Sequence, residues 1–269
     1  MIARDKIDRV RAAVAQLRSA VVAFSGGVDS ALVAALAHEQ LGGRALAVTG
    51  VSASLASGEL EEAKALAQRI GVAHETISTD EFSNDAYRAN PANRCFYCKD
   101  ELFSRLRTLA DARGFAAVAD GANADDGSVP LDVRHGSAAA RAYGVRSPLV
   151  DAGMTKDDVR ALARDFGLPV WDKPATPCLS SRVPHGTRIE YDDLRRVDLA
   201  EQYLRASGFT TVRVRHYGTR ARIEVPLADV ERLVAREAAI ERALRDVGYH
   251  DVEIDRRGYR TGSLNETAQ

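Results

Sequence analysis

At 269 residues the chain exceeds one typical domain of about 100 to 200 residues, so a larger domain with a smaller appended one is expected. Hydrophobic residues make up 45% and charged ones 28%, as in an ordinary globular protein, and a formal net charge of -1 gives no electrostatic case for general nucleic-acid binding. No run reaches the roughly 18 apolar residues of a membrane span, Met1 to Lys6 carry charge instead of an apolar leader, and three cysteines favour metal or sulfur chemistry over a disulfide scaffold, all of which leads us to expect a cytoplasmic protein.

Ile7, Val10, Val14 and Leu17 follow helical spacing and predict a short amphipathic first helix. Ala20 to Phe24 reads as a buried strand, Ala31 to Leu36 as the start of a helix, and Ala45 to Val51 as a second strand. Ser57 to Ile70 is its crossover helix, stopped by Gly71, and Val72 to Ile77 is a third strand. A helix from Lys99 to Arg113 precedes a strand at Ala116 to Gly121, and Asp157 to Phe166 is helical again. The polar segments Asn84 to Arg94 and Asp126 to Arg141 read as mobile loops. Strands alternating with helices predict an α/β fold with a doubly wound, mainly parallel sheet and a ligand at the carboxyl ends of its strands.

Three prolines between Trp171 and Pro184 block regular structure, and the domain junction is expected there, with residues 1-175 as the nucleotide domain and 176-269 as a smaller α+β domain. In the smaller domain Tyr191 to Ala206 reads as a helix, Thr210 to Tyr217 and Arg220 to Val225 as strands, Leu227 to Val247 as one helix and Asp251 to Asp255 as a last strand. The tail after Glu266 is expected to fray.

The most informative segment is Ser25-Gly26-Gly27-Val28-Asp29-Ser30, set between the first strand and the following helix. Its glycines let the backbone turn sharply, so that several N–H groups and the positive end of a helix converge on an anion, with the Ser25 and Ser30 hydroxyls as further donors. Neither the Walker A lysine nor the dinucleotide Gly-x-Gly-x-x-Gly pattern is present. Asp29 stands there instead. A carboxylate beside a phosphate repels it unless a cation intervenes, which argues for Mg²⁺ between Asp29 and pyrophosphate oxygens. Thr49 is a candidate for adenine, Lys156 for phosphate, and Asp125 or Asp126 for placing metal or activated substrate.

Several further motifs agree: Asn93-Arg94-Cys95-Phe96-Tyr97-Cys98-Lys99, Asp120 to Asp126, Arg146-Ser147-Pro148-Leu149, Lys173-Pro174 with Cys178-Leu179-Ser180-Ser181-Arg182, and Gly258-Tyr259-Arg260. On these the chain resembles, over nearly its whole length, the LarE family of ATP-dependent sulfur transferases within the PP-loop ATP pyrophosphatases. The resemblance implies an adenine nucleotide α-hydrolase-like fold and adenylylation of a carboxylate of pyridinium-3,5-biscarboxylic acid mononucleotide. Conversion to a thiocarboxylate follows, twice per nickel-pincer nucleotide cofactor, with ATP and Mg²⁺ as cofactors. It also implies a homo-oligomer, a hexamer, while the balanced charge and the lack of a long apolar run argue for no nucleic acid and no membrane partner.

The sulfur source divides into two readings. In one, Cys95, Cys98 and, by resemblance, Cys178 hold a 4Fe-4S cluster with one open iron carrying an extra sulfide. In the other, Cys178 gives up its own sulfur and becomes dehydroalanine. The resemblance implies that members with only the Cys178 equivalent use the second, so the added Cys95/Cys98 pair favours the first; zinc would want a fourth ligand such as His185. Arg182, four residues beyond Cys178, is a candidate for binding the substrate anion or lowering the pKa of that cysteine. Alternation along Val212 to His216 puts Arg213 and Arg215 on one strand face, suited to the substrate phosphate, with Arg222 and Asp229 completing the cluster. A tRNA thiolase, an amide-forming synthetase of the NAD or GMP type, and a nucleotide sensor are the competing classes.

Overall fold

The computed structural model describes residues 2–128 and 131–260. The chain divides into two units. The first comprises residues 1–52, 58–87 and 92–176, and the second comprises 53–57, 88–91 and 177–269.

The first unit carries α1 (Arg4–Ala15), β1 (Ala20–Ala23), α2 (Val28–Leu41), β2 (Ala45–Val51), α3 (Glu59–Ile70) and β3 (Ala73–Ser78). After α4 (Asp85–Arg88), which runs into the second unit, come α5 (Arg94–Ala112), β4 (Ala117–Ala119), α6 (Leu131–Ala142), α7 (Pro148–Asp151) and α8 (Lys156–Asp165). Its four strands pair in the order β3-β2-β1-β4, all parallel. Alternate residues of β1 explain the two layers. Ala20 and Val22 join the core shared with α1, α2, α3 and α8, while Val21 joins Phe103, Leu106 and Ala110 of α5 and Ala139 and Ala140 of α6 on the other face. α2 is apolar nearly all round and is buried from Val28 to Ala37 except at Asp29. Strand order reverses direction between β1 and β4, and a doubly wound sheet opens its ligand crevice at such a point.

The second unit holds α9 (Tyr191–Ala206), β5 (Arg213–Tyr217), β6 (Arg220–Glu224), α10 (Val230–Val234), α11 (Glu237–Asp246) and β7 (Asp251–Ile254). β5 and β6 are antiparallel and β6 and β7 parallel, with Val214, Ala221 and Ile223 packed on Leu204, Leu233, Ile240 and Leu244.

Three expectations need correction. The helix expected from Lys99 begins at Arg94, so Cys95 and Cys98 sit within its first five residues. Residues 227–247 are not one helix but a short 3-10 turn followed by α10 and α11, broken at Ala235 and Arg236. Leu233 and Ile240 lie seven residues apart, which keeps the apolar faces aligned across the break and hides it from a periodicity reading. The segments read as loops contain α4 and α6. The expectation for the tail after Glu266 lies outside the described residues.

Candidate functional site

In the first unit, Phe24 N donates to Val48 O at 2.9 Å, extending β1 by one residue before the chain turns. Gly26 takes φ +74°, and a Cβ on it would stand 3.3 Å from Ala63 of α3, so both conformation and space call for glycine. Ser30 Oγ accepts from Ser25 N at 3.2 Å and donates to Gly27 O at 3.1 Å, while Ser25 Oγ accepts from Gly27 N at 3.3 Å. The two serines brace the turn from within. Val28 then opens α2, whose first-turn N–H groups have no intrahelical acceptor and whose dipole is positive at this end.

Asp29, in that first turn, is clasped from outside its own helix. Its Oδ1 accepts from Asn123 Nδ2 at 3.1 Å, and its Oδ2 lies 2.5 Å from Lys156 Nζ. Lys156 is the first residue of α8, and its N–H donates to Asp125 Oδ2 at 2.7 Å. Thr155 caps that helix through a reciprocal pair with Asp158. Asp125 N in turn donates to Asn123 Oδ1 at 3.0 Å, and Asn123 N to Asp126 Oδ2 at 2.9 Å. The structure thus brings Asp29, Asp125 and Lys156 together and gives both loop aspartates a bracing contact.

Gly121, two residues past the end of β4, packs against the start of α2. Asp120 beside it is buried and accepts from Ser147 Oγ at 2.7 Å. A cavity of about 350 Å³ opens here, lined among others by Lys99, Asp120, Asn123, Arg141, Arg146 and Ser147. Thr49 has another role than the expected one. It is buried, donates to Phe24 O at 2.7 Å just past β1 and sits 2.9 Å from His74 Nε2 near the start of β3, so its hydroxyl is engaged within the sheet.

In the second unit, the β5–β6 register puts Arg213 opposite Glu224 and Arg215 opposite Arg222, so these four side chains share one sheet face. Glu224 accepts from Arg215 Nε at 2.9 Å and from Arg222 Nη2 at 3.3 Å. Beneath them Arg182, 1% exposed, forms a two-pronged pair with Glu201, 0% exposed, at 2.9 and 3.0 Å. Burial, the largest influence on Glu201, favours its neutral acid, yet Arg182, the Val214 N–H and Arg205 outweigh it and hold the carboxyl below its usual range. Burial first, and then the charge of Arg182, lowers the pKa of Arg213, whose guanidinium also lies 5.6 Å from the Tyr259 ring centre. Among the described residues, Arg182 and Arg205 pair with Glu201 and Arg215 and Arg222 with Glu224, with Arg213 beside them, so five guanidiniums face two carboxylates, a balance suited to an anion. Asp229 is engaged elsewhere, 2.9 Å from Arg232.

Arg182 acts on the Cys178 loop through the backbone. Its Nη1 donates to the Pro177 carbonyl, to Cys178 O at 3.0 Å and to Ser181 Oγ at 3.0 Å, while Leu179 N donates to Ser54 O at 2.9 Å. With its charge matched by Glu201, it is placed to shape this loop. Cys95, Cys98 and Cys178 are all half-buried thiols in no disulfide. Cys95 and Cys98, three positions apart near the start of α5, lie on one helical face, which suits two ligands to one metal. Among the described residues, no three His, Cys, Asp or Glu side chains are gathered to hold a metal ion.

Residues 3–121, which span the glycine turn and all four strands of the parallel sheet, match the NAD synthase family model. Over 95% of this chain and 92% of its own, the pyridinium-3,5-bisthiocarboxylic acid mononucleotide synthase of Lactiplantibacillus plantarum is 38% identical. The chain belongs to the LarE family of ATP-dependent sulfurtransferases. An uncharacterized protein of Synechocystis is 45% identical over 97% of both chains. The tRNA-specific 2-thiouridylase MnmA of Rickettsia felis is 30% identical, but over only 57% of this chain and 51% of its own.

For this LarE family member, the residues that sequence reasoning missed are Asn123 and Gly121. Both stand in the Asp120 to Asp126 run that supported the resemblance, yet nothing local says that this loop reaches α2. Lys99 was likewise seen only as part of a cysteine motif. Its stem crosses α6 at Gly136, where a Cβ would stand 2.7 Å from Lys99 Cδ.

Proposed function

We propose that the protein inserts sulfur into pyridinium-3,5-biscarboxylic acid mononucleotide during assembly of the nickel-pincer cofactor. ATP is cleaved between its α and β phosphates. A substrate carboxylate oxygen attacks the α-phosphorus, pyrophosphate leaves, and the resulting acyl adenylate becomes the electrophile; a sulfur nucleophile then attacks its carbonyl and AMP departs. The observation that carries this reading is the clasped Asp29 at the mouth of the glycine turn, an acid already satisfied by a cation beside a set of helix N–H donors. The N–H donors suit the oxygens of a leaving pyrophosphate, and the Asp29 carboxylate would hold a Mg²⁺ ion beside them. The glycine turn and Lys156 bind the polyphosphate, Asp29 acts through Mg²⁺, and Arg213, Arg215 and Arg222 bind the substrate phosphate.

The two thiols on one turn of α5 support Cys95, Cys98 and Cys178 as ligands of a 4Fe-4S cluster, which when bound supplies an exchangeable sulfide. A second reading rests on Cys178 alone, a half-buried thiol in no disulfide. On that reading the Cys178 sulfur attacks, giving a thioester with loss of AMP. Removal of the Cys178 Hα then breaks its Cβ–S bond, leaving a thiocarboxylate and dehydroalanine. Family resemblance further supports a cytoplasmic hexamer.

Pyrophosphate release measured with ATP and Mg²⁺ tests the reaction itself. Release that depends on the pyridinium dicarboxylate mononucleotide is expected, and release indifferent to it, or dependent on tRNA or ammonia, overturns the reading. Anaerobic iron and sulfide analysis, compared between wild type and Cys95→Ala, tests the sulfur source beside mass spectrometry of Cys178 after one turnover. Iron and sulfide lost in the variant support the cluster; loss of one H₂S from Cys178 supports the sacrificial route.

A further inference from the structure

In the first unit, every oxygen of Asp29 is already engaged. Oδ1 accepts from Asn123 Nδ2 at 3.1 Å and Oδ2 lies 2.5 Å from Lys156 Nζ. We propose that Lys156 is a built-in counter-ion for Asp29 that the divalent metal displaces, so that metal enters only with a polyphosphate able to take over the ammonium. This rests on the pyrophosphatase reading above and adds an order of binding to it.

The argument is electrostatic and geometric. A Mg²⁺ ligand oxygen sits about 2.0 to 2.1 Å from the ion. A metal on Asp29 Oδ2 beside the present ammonium would put two positive centres within about 4 Å of each other, where they repel strongly in a site partly screened from water. One must leave. The Lys156 main chain is not free to do so, because its N–H is held by Asp125 Oδ2 at 2.7 Å and α8 is capped by Thr155. Asp29 is equally fixed, because Gly121 packs on its Cβ and on Ser30 N. The Lys156 side chain is 35% exposed, which leaves its stem as the part that moves. An ammonium turned away from Asp29 needs a new anion, and the phosphate at the neighbouring α2 N-terminus supplies one. Metal alone offers no such partner. Lys156 therefore keeps the acid closed to free divalent ions and couples metal uptake to nucleotide.

Mn²⁺ is the probe. Its binding to the nucleotide-free full-length protein is titrated by electron paramagnetic resonance of free Mn²⁺, for wild type, Lys156→Met, Lys156→Gln, Lys156→Arg and the Lys156→Met/Asp29→Asn double variant. Both neutral variants are expected to bind Mn²⁺ about tenfold or more tightly than wild type, since they lose the competing charge. Lys156→Arg should stay as weak as wild type, and the double variant should lose the gain. Inorganic pyrophosphate should then strengthen Mn²⁺ binding more in wild type than in Lys156→Met. Equal Mn²⁺ affinity in wild type and both neutral variants, all still binding Mn²⁺ with pyrophosphate, overturns the counter-ion role and leaves the pyrophosphatase reading standing. Failure of wild type to bind Mn²⁺ with pyrophosphate at all overturns both.

Discussion

Gly121 and Ser30 approach so closely that a Cβ built on Gly121 would stand 2.7 Å from Ser30 N and 3.1 Å from Asp29 Cβ. The loop leaving β4 is therefore in contact with the first turn of α2, and glycine is what permits it. Gly121→Ala should push backbone against backbone, at a cost of about 1 to 3 kcal/mol in stability. ATP affinity should fall by about tenfold or more, because the displaced turn is the one expected to present N–H donors to phosphate. Equilibrium nucleotide binding and a thermal melt check both, and unchanged ATP affinity would show that this contact does not shape the phosphate site.

The Arg182–Glu201 pair predicts a different pattern. Both side chains are buried, and removing Arg182 leaves the buried Glu201 carboxylate with only the partly exposed Arg205 and the Val214 N–H, a loss at the lower end of the range of about 3 to 5 kcal/mol that breaking a buried pair costs. Arg182→Ala should thus be strongly destabilising in urea at neutral pH, whereas Arg182→Lys should recover little because lysine lacks the fork that reaches both carboxylate oxygens.

Acid should act on the same pair. The folded-state pKa of Glu201 lies below its ordinary value of 4.5, so the native state binds fewer protons than the unfolded one as the pH drops. The stability it contributes is complete above the unfolded pKa and is lost as pH falls through 4.5 toward the folded value. Urea midpoints between pH 6 and pH 3.5 (about the range set by carboxylate titration) test this, and Glu201→Gln should show a shallower decline.

His216 titrates in a higher window. It is buried beside Asp193, Arg196 and Tyr249, with Nε2 3.3 Å from Asp193 Oδ1 and Nδ1 3.1 Å from the Tyr249 hydroxyl. Burial, the leading cause, lowers its pKa below 6.5, and the charge of Arg196 adds to this against the opposing Asp193. Between 6.5 and the folded value, the unfolded chain takes up a proton that the native ring refuses, so stability should decrease as pH falls through that range. His216→Gln should flatten that slope. An unaltered slope would assign it to other groups.

Arg213→Ala should weaken use of the mononucleotide substrate while sparing ATP. Loss of one charge-assisted contact to a phosphate costs about 1.5 to 3 kcal/mol, or roughly a tenfold to hundredfold rise in KM. Kinetics with each substrate varied in turn separate the two effects, and equal damage to both would point to a folding defect.

Much of the fold was legible along the chain because its signals are local. The glycine turn, the apolar strands Ala20–Ala23 and Ala45–Val51, and α9 all depend on residues close in sequence, and each appears where patterning placed it. The break at Ala235 was not legible, because an apolar repeat of seven residues survives it. α5 was read as starting late, since the cysteine motif lacks the apolar period that marks the rest of that helix.

For this protein the sequence alone determined the chemistry on offer: a phosphate turn with an acid in it, three thiols, and a strand that puts arginines on alternate positions. Only the tertiary structure decided which groups meet. Asn123 and Lys156 reach Asp29 from 94 and 127 residues away, Glu201 takes the charge of Arg182, and Thr49 turns inward to a backbone carbonyl. The reason is physical. Strand, turn and helix preferences act between neighbours in sequence, but the partner of a buried charge is set by strand order and helix packing, and these emerge only when the whole chain closes its core.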